Sequence, residues 1–310
     1  MLKCALIVNP NSGKGIKMEQ VEKIVSILYD YKYKTTLHLT KGPGHAKEIV
    51  KDLSEVDLVL SIGGDGTFNE VVSGDSKRKK KLVLAHIPYG TANDLGAMFG
   101  LGKNLEQNAK DILNGVIKQV DVGMINNQPF VYVAGFGKFI TIPYETPRHL
   151  KKTFGYLAYM VNAIKDFFSK TKAYYTTMQI DNNKVQGKYS LILVSNATGV
   201  AGFNNIYKNV KLDDDKLEII CCTLSKRNAI TKALIQLVRE KNIKNIEGME
   251  FYKGTNIEIN FDLRPKKHWT IDGEELLDDR NTFKIKVNKH IKMLLPTNKI
   301  DELFTKKQSK

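Results

Sequence analysis

The sequence predicts an α/β protein of two domains, in which a domain built on a parallel sheet precedes an antiparallel β-sandwich. Up to about residue 120, short apolar runs alternate with helical patterns, which is typical of β-α-β units. From Val120 onward, the pattern changes to strands separated by hairpin turns. We therefore expect a first domain of residues 1–121, completed by the tail 296–310, and a second domain of residues 122–295.

Four strands are predicted in the first domain, at residues 4–9, 34–39, 58–62 and 82–87. Each is followed by a turn rich in glycine or proline and then by a helical pattern. The first helix carries one apolar stripe at spacings of three and four: Met18, Val21, Ile24, Val25 and Leu28. Because ligands bind at the carboxyl ends of parallel strands, we expect the functional site at these turns.

The second domain is predicted from its turns. Hairpin turns are expected at residues 126–127, 182–183, 252–254 and 272–273. Two helical segments, 150–169 and 227–241, interrupt the strands. The tail 299–310 is expected to form a short helix on the first domain before it frays.

The net charge of +15 indicates an anionic partner. No nucleic-acid-binding motif accompanies the charge, so nucleic acid is not expected, and a membrane surface or plain solubility remains. No apolar stretch approaches the roughly 20 residues of a membrane span, and no signal-peptide cleavage site follows the N-terminus. Cys4, Cys221 and Cys222 lack metal-ligand spacing, so we expect buried reduced thiols. A cytoplasmic protein that associates peripherally with membranes is predicted.

Residues 61–70, Ser-Ile-Gly-Gly-Asp-Gly-Thr-Phe-Asn-Glu, are the strongest single motif. Glycines after a strand let the backbone approach a polyphosphate, and amides at a helix start face the anion. Alone, this motif could be a tight turn. Similar turns follow the other three strands, at 9–15, 40–45 and 88–94, and chance would not often align four of them. The first of these turns lacks the spacing of a Walker A loop, so Lys14 is not expected to bind phosphate as the lysine of a Walker A loop does.

Taken together, Asn-Pro-x-Ser-Gly, Gly-Gly-Asp-Gly-Thr-x-Asn-Glu, Pro-x-Gly-Thr-x-Asn-Asp and a late Asp-Gly-Glu resemble the diacylglycerol kinase catalytic family. The segment 155–159 resembles its soluble bacterial branch. The resemblance implies a phosphofructokinase- or NAD kinase-like α/β domain, a β-sandwich domain, and transfer of the ATP γ-phosphate to a lipid, most simply diacylglycerol. The residues it implies for ATP binding are Asn9, Ser12, Gly13, Thr40, Gly63, Gly64, Asp65, Gly66, Thr67, Gly90, Thr91 and Asn93.

The resemblance also implies catalytic and metal-binding roles. Glu274 would take the proton from the lipid hydroxyl, Asp272 would set local charge and geometry, and Asp65 would lie near the phosphates and metal. Asp214, with the main-chain carbonyls of Lys211 and Lys216, would hold Mg²⁺. Without this context, 271–274 is a hairpin turn and 213–215 a charged loop.

Several alternatives stay open. The acceptor could be another lipid, such as a sphingoid base or a polyprenol, because 137–141, 201–203 and 214–215 depart from the family's pattern. A soluble-substrate kinase of the NAD kinase type and a non-catalytic binding module are less favoured. The family is often dimeric, which leaves a homodimer open. The basic run 77–81 and the helix 150–169 could each contact a membrane, but a solvated loop and core packing are the simpler interpretations.

Overall fold

The computed structural model describes residues 1–91, 93–137, 172–199, 207, 209–240 and 246–305. The predicted helix 150–169 and the segments 138–141, 155–159 and 201–203 therefore lie outside the described residues. The chain divides into two compact units, Met1–Asp121 with Lys289–Lys310, and Val122–Asn288. We call these unit 1 and unit 2.

Unit 1 is built on a parallel sheet. Its strands are β1 (Leu2–Val8), β2 (Tyr33–Leu39), β3 (Leu58–Gly63) and β4 (Val83–Pro88). They lie in the order β2-β1-β3-β4, with Cys4 opposite Leu58 and Val59 opposite Leu84. Every residue of β3 is buried, as expected for a strand covered on both faces. The predicted α/β class is confirmed.

Helices of unit 1 follow the strands in sequence. They are α1 (Met18–Asp30), α2 (His45–Asp52), α3 (Asp65–Ser76), α4 (Asp94–Met98), α5 (Leu105–Leu113) and, near the C-terminus, α7 (Ile300–Leu303). The stripe of α1 buries Val21, Ile24 and Leu28. Asn104 caps α5 by accepting a hydrogen bond from the Gln107 amide. In the tail, Leu303 and Phe304 are buried.

A histidine lies in the core of unit 1. His86, on β4, is buried, and its Nδ1 lies 2.9 Å from Ser61 Oγ on β3. Its Nε2 is buried without a hydrogen-bond partner. The ring packs against Phe68, with centroids 5.0 Å apart. Burial lowers the pKa of His86 to about 3, so the ring is neutral in the folded protein.

Unit 2 contains two antiparallel sheets. Its strands are β5 (Val116–Ile125, which starts in unit 1), β6 (Gln128–Phe130), β7 (Val133–Gly137), β8 (Tyr174–Ile180), β9 (Asn183–Tyr189), β10 (Leu191–Ser195), β11 (Leu217–Cys222), β12 (Met249–Gly254), β13 (Asn256–Phe261), β14 (Trp269–Ile271), β15 (Glu274–Leu276) and β16 (Thr282–Leu295). One sheet contains β16-β13-β8-β9, and the other has the order β12-β11-β10-β7-β14-β15. Helix α6 (Arg227–Glu240) follows β11.

An aromatic cluster fills the core between these sheets. Trp269, which is the single tryptophan of the chain, is buried among Phe136 and Phe283, with ring centroids 5.6 and 5.5 Å away. Phe261 lies 4.6 Å from Phe136 in the same cluster. Large aromatic side chains bury much apolar area each, so they are expected to dominate the stability of this unit.

Most predicted turns of unit 2 lie where the sequence placed them. Asn126 and Asn127 both have positive φ between β5 and β6, as a tight hairpin requires. The turn predicted at 252–254 is wrong, because these residues end strand β12. The chain reverses at Thr255 instead, where the Asp181 carboxylate accepts hydrogen bonds from the amides of Thr255 and Asn256. A side chain distant in sequence thus fixes this turn.

The basic run 77–81 has structural partners. Arg78 donates from Nη1 to the carbonyls of Val50 and Leu53 at the end of α2, at 3.0 and 2.7 Å. Lys81 donates to the Asp75 carbonyl at 2.7 Å, and Lys80 pairs with Glu55 at the same distance. Cations near the last carbonyls of a helix are stabilising. These contacts support the simpler interpretation, in which the run belongs to a surface loop.

Within the parts of the chain that the structure describes, no helix is both long and apolar enough to cross a membrane.

Candidate active site

Four glycine-containing loops begin side by side at the carboxyl edge of the unit 1 sheet. The amide of Asn9 donates to the Ile62 carbonyl at 3.0 Å, and the amide of Tyr89 donates to the Gly63 carbonyl at 2.5 Å. On the other side of β1, the Thr40 amide donates to the Val8 carbonyl at 2.9 Å. These bonds extend the strand pairing past the ends of the strands, so the four predicted turns start together.

A side-chain hydrogen bond joins the first loop to the start of α3. Asn9 Nδ2 donates to Thr67 Oγ1 at 3.0 Å. Thr67 is buried and lies directly against Gly63, where a Cβ atom would be 2.6 Å from Thr67 Oγ1. Ser12 is also buried, and its amide donates to the Asn9 carbonyl at 3.1 Å. Asn9, Ser12, Gly63 and Thr67 therefore lie in one connected group.

Two glycines bring the first and third loops into contact with the fourth. A Cβ atom on Gly90 would lie 2.7 Å from Gly64 Cα, so no larger residue fits there without displacement of the backbone. Gly13 has a φ of +54°, and a Cβ atom added to it would lie 3.1 Å from the Tyr89 carbonyl oxygen. The loops thus face one another with main chain rather than side chains. Glycine loops of this kind suit a polyphosphate, because they let the backbone approach its oxygens closely.

Asn93 closes the fourth loop on itself. Its side chain accepts from the Gly90 amide at 2.5 Å and donates from Nδ2 to the Gly90 carbonyl at 3.0 Å. Its φ of +56° is the left-handed conformation that asparagine tolerates better than most residues. Thr91 lies between the two residues. The asparagine of this motif therefore shapes the loop that carries Gly90 and Thr91.

Asp65 lies in the first turn of α3 and is directed toward α4. Its carboxylate accepts from the amides of Asp94 and Leu95, at 3.2 and 3.3 Å. Gly66 follows it in the same turn. Asp65 thereby links the Gly-Gly-Asp-Gly loop to the Pro-x-Gly-Thr loop. The sequence pointed to a place for Asp65 near phosphate but did not predict this link, because it joins residues 29 positions apart.

Glu70 is a residue of this site for which the sequence predicted no specific contact. Its two carboxylate oxygens accept from the amides of Gly44 and Ala46, at 2.8 and 3.0 Å. These amides belong to the start of α2, which otherwise has no side-chain cap. A carboxylate there satisfies two helix-end amides and interacts favourably with the positive end of the helix dipole. The position of Glu70 at the end of the Gly-Gly-Asp-Gly-Thr-x-Asn-Glu motif was its only signal.

In unit 2, Asp272 and Glu274 lie on the hairpin between β14 and β15. The Asp272 carboxylate accepts from the amides of Val131, Tyr132 and Val133, at 2.8, 3.0 and 2.8 Å. The Asp272 amide in turn donates to the Val133 carbonyl at 2.8 Å. Three hydrogen bonds from the main chain hold this side chain and fix the turn, in which Asp272 has a φ of +48°.

Glu274 begins β15 beside this fixed turn. It is exposed, and its strand partner is Ile271. An accessible carboxylate on a rigid hairpin can accept a proton from a hydroxyl group. The two carboxylates thus differ, because Asp272 is bound to the main chain whereas Glu274 is exposed.

The predicted metal residue Asp214 has other partners. Its Oδ1 accepts from the Lys216 amide at 3.2 Å, and its Oδ2 lies 2.8 Å from Lys253 Nζ. The same ammonium group lies 2.9 Å from Glu218 Oε1. The described residues contain no group of three or more His, Cys, Asp or Glu that could hold a metal. Asp214 therefore has the Lys253 ammonium group as its cationic partner, where the resemblance implied Mg²⁺ with the main-chain carbonyls of Lys211 and Lys216.

Burial governs the electrostatics of this cluster. It raises the pKa of Glu218 to about 7, and the hydrogen bond from Lys253 opposes that rise. Burial also lowers the pKa of Lys253, but the hydrogen bonds to Asp214 and Glu218 outweigh it, so this pKa is raised overall. Lys253 is therefore a cation at neutral pH.

Known proteins resemble this chain over most of its length. The family model "Diacylglycerol kinase catalytic domain" matches residues 3–125. A diacylglycerol kinase of Staphylococcus epidermidis is 33% identical over 220 residues, which cover 70% of this chain and 69% of that protein. A diacylglycerol kinase of Bacillus subtilis is 27% identical over 306 residues, which cover 98% and 99% of the two chains. A crystal structure of a diacylglycerol kinase from Bacillus anthracis str. Sterne matches with a TM-score of 0.75 at 26% identity, over 96% of this chain and 98% of that one.

The loops of unit 1 and the catalytic-domain match define a kinase. The chain belongs to the diacylglycerol kinase family, as the relative of Staphylococcus epidermidis shows.

Proposed function

We propose that the chain transfers the γ-phosphate of ATP to the hydroxyl group of diacylglycerol and so forms phosphatidic acid. The observation that carries this proposal is the approach of Gly64 to Gly90, where a Cβ atom on Gly90 would lie 2.7 Å from Gly64 Cα. This approach brings the backbones of the loops after β3 and β4 together at the carboxyl edge of the sheet. Relatives named diacylglycerol kinase, matched over 97–99% of this chain, support the choice of acceptor.

Unit 1 is proposed to bind the nucleotide. The residues proposed for this role are Asn9, Ser12, Gly13, Thr40, Gly63, Gly64, Asp65, Gly66, Thr67, Gly90, Thr91 and Asn93. Main-chain amides of the glycine turns would hold the phosphate oxygens, and the start of α3 adds its dipole. Carboxylate oxygens are preferred ligands of Mg²⁺, and Asp65 supplies one beside these loops. When bound with ATP, Mg²⁺ neutralises phosphate charge in phosphoryl transfer.

Unit 2 is proposed to bind the lipid and to supply the base. Glu274 accepts the proton of the lipid hydroxyl as that oxygen forms a bond to the γ-phosphorus. The bond from the γ-phosphorus to the bridging oxygen breaks, and ADP leaves with the electron pair. Asp272 keeps the hairpin rigid through its three amide bonds, so it positions Glu274 rather than accepting the proton itself.

The proposed lipid substrate also implies contact with a membrane surface. Diacylglycerol lies in a membrane, so the protein must work at a membrane surface, and its net charge of +15 favours anionic lipid there. Peripheral contact needs no membrane-spanning segment. We also propose that the protein forms a homodimer, and sedimentation of the purified protein would test this.

The activity is tested with ATP labelled in the γ-phosphate. Mixed micelles carry one acceptor at a time: diacylglycerol, a sphingoid base or a polyprenol, with NAD as a soluble acceptor. We expect label in phosphatidic acid and a loss of label with Asp65→Asn. Label confined to another lipid would support lipid kinase activity but would contradict diacylglycerol as the acceptor. Label in NADP alone would reject the lipid kinase.

A further inference from the structure

A row of polar residues crosses one sheet of unit 2. Ser195 on β10 is paired in register with Glu218 on β11, which is paired with Lys253 on β12. Directly opposed residues of neighbouring antiparallel strands project from the same face of the sheet. Ser195 continues the row by donating from Oγ to the Tyr207 hydroxyl at 2.9 Å.

Lys253 is the cation of this row. Its Nζ contacts two carboxylates, Glu218 Oε1 at 2.9 Å and Asp214 Oδ2 at 2.8 Å. The Glu218 side chain is only 2% exposed, whereas Lys253 and Asp214 are 26% and 22% exposed. A carboxylate buried to that degree is costly unless a cation accompanies it. Lys253 supplies that cation from the neighbouring strand.

The cluster offers more oxygen acceptors than Lys253 uses. Glu218 Oε2 is buried and has no hydrogen-bond partner. If the ammonium group were removed, Asp214 and Glu218 would leave carboxylate oxygens around a vacant cation position. Oxygen-rich positions of this kind suit divalent cations. While Lys253 is present, a second cation there would meet strong repulsion.

We infer that the Lys253 ammonium is the resident cation of the Asp214–Glu218 pair, so unit 2 keeps its fold without the divalent metal that the family resemblance implies for Asp214. Any Mg²⁺ dependence of the enzyme then belongs to the nucleotide, in unit 1. This inference concerns the fold of unit 2 and does not depend on the identity of the lipid.

The test uses the full chain without nucleotide and follows the fluorescence of Trp269 during thermal unfolding. Because Trp269 is the single tryptophan and lies in the core of unit 2, its signal reports this unit. The parent protein should melt at the same temperature in EDTA and in millimolar Mg²⁺ or Ca²⁺. Lys253→Met should lower the melting temperature in EDTA by about 10 °C, because it leaves a buried carboxylate without its cation.

Two further variants complete the test. Lys253→Arg keeps a cation and should melt close to the parent, even if Lys253→Met does not fold in EDTA. Lys284→Met removes a lysine of the same unit whose contact with Glu258 is exposed and 3.5 Å long, and it should change little. Divalent cations should raise the melting temperature of Lys253→Met but not of the parent.

Two results would overturn the inference. One is a parent protein that Mg²⁺ stabilises unless Asp214 is changed to Asn, which would make a metal the resident cation. The other is a Lys253→Met variant with the parent melting temperature in EDTA.

Discussion

The Glu70 carboxylate on α3 accepts a 2.8 Å hydrogen bond from the Gly44 amide at the start of α2. A second bond from the Ala46 amide, at 3.0 Å, makes the contact bidentate. One helix of the proposed nucleotide site therefore caps the next. The loop that carries Thr40 leads directly into this cap, so its position depends on Glu70.

Glu70→Ala should loosen the loop between Thr40 and Gly44. Loss of a capping side chain costs about 0.5–2 kcal/mol of unfolding free energy. We expect the KM for ATP to rise by about tenfold while kcat falls less, because the loop would be ordered again by bound nucleotide. Steady-state kinetics would measure this split. Glu22→Ala, at an exposed position of α1, is the control, and equal KM values for the two variants would contradict the positioning role.

Glu274→Gln should remove the proton acceptor and leave the fold intact. Loss of a general base typically costs about 10²–10⁴-fold in rate, so kcat should fall in that range while ATP affinity is kept. Lipid turnover and nucleotide binding would be measured together. Glu275→Gln changes the adjacent carboxylate, which contacts His268 at 2.9 Å, and should stay near the parent rate. If the folded Glu274→Gln enzyme has a kcat within threefold of the parent value, Glu274 is not the base and the turn has only a structural role.

Asp272→Asn should impair both stability and activity, in contrast to Glu274→Gln. The asparagine would present an amide donor to three backbone donors, so bonds of about 1.5–3 kcal/mol each, typical of charged acceptors, would be lost or weakened. Trp269 lies on β14, which leads into this turn. We expect a lower melting temperature by tryptophan fluorescence, together with reduced turnover. Normal stability of Asp272→Asn would contradict the capping of the Val131–Val133 amides.

Acid should destabilise unit 1 through His86. The unfolded side chain has a pKa near 6.5 and the folded one about 3, so the unfolded state binds an extra proton between these values. The contribution is fully present above pH 6.5 and is lost as the pH falls toward 3. At about pH 5 the loss should be about 2 kcal/mol. Denaturant unfolding followed by circular dichroism would measure it.

His86→Leu is the matched variant for this acid effect. It should flatten the pH dependence between about pH 5 and 7, because leucine does not titrate. Ser61 Oγ would keep its hydrogen bond to the Ala85 carbonyl, which is 3.2 Å long. An unchanged pH slope in His86→Leu would assign the acid sensitivity to other groups.

Anionic lipid should increase turnover at low salt. A net charge of +15 concentrates the protein on a negative surface, and the attraction is about 1 kcal/mol for each cation close to it. Micelles with and without anionic lipid, assayed at low and high salt, would test this. The increase should disappear at high salt, because screening shortens the range of the attraction. Equal rates with neutral and anionic micelles at low salt would contradict the proposed attraction of the protein to anionic lipid.

The sequence predicted the parts of the fold that depend on local patterns. Short apolar runs identified β1 to β4, and apolar residues at spacings of three and four identified the stripe of α1, because burial on one or both faces leaves such a pattern in the sequence. The turn at Asn126 and Asn127 was found because two asparagines in succession favour positive φ. Residues 252–254 were misassigned, since their turn depends on Asp181, which lies 74 positions from Thr255.

Only the parts of the candidate site that form local sequence motifs could be predicted. The glycine turns were identified from their spacing, and their contact at Gly64 and Gly90 follows from the parallel sheet. Contacts between side chains distant in sequence could not be predicted, such as Glu70 with Gly44 and Lys253 with Glu218. These depend on the register of neighbouring strands and helices, which no local signal of either residue records.

Strand β16 (Thr282–Leu295) has a consequence for how the protein is made. Its beginning pairs with β13 in unit 2, whereas Lys292 and Met293 pair with β4 in unit 1. Unit 1 therefore consists of an early and a late stretch of the chain. During translation, residues 1–121 leave the ribosome before unit 2, but they lack the strand segment that starts at Lys289 until unit 2 has also been made. The proposed nucleotide-binding unit is thus begun before unit 2 and completed after it, so a nascent chain should acquire ATP binding only once the end of β16 has been made.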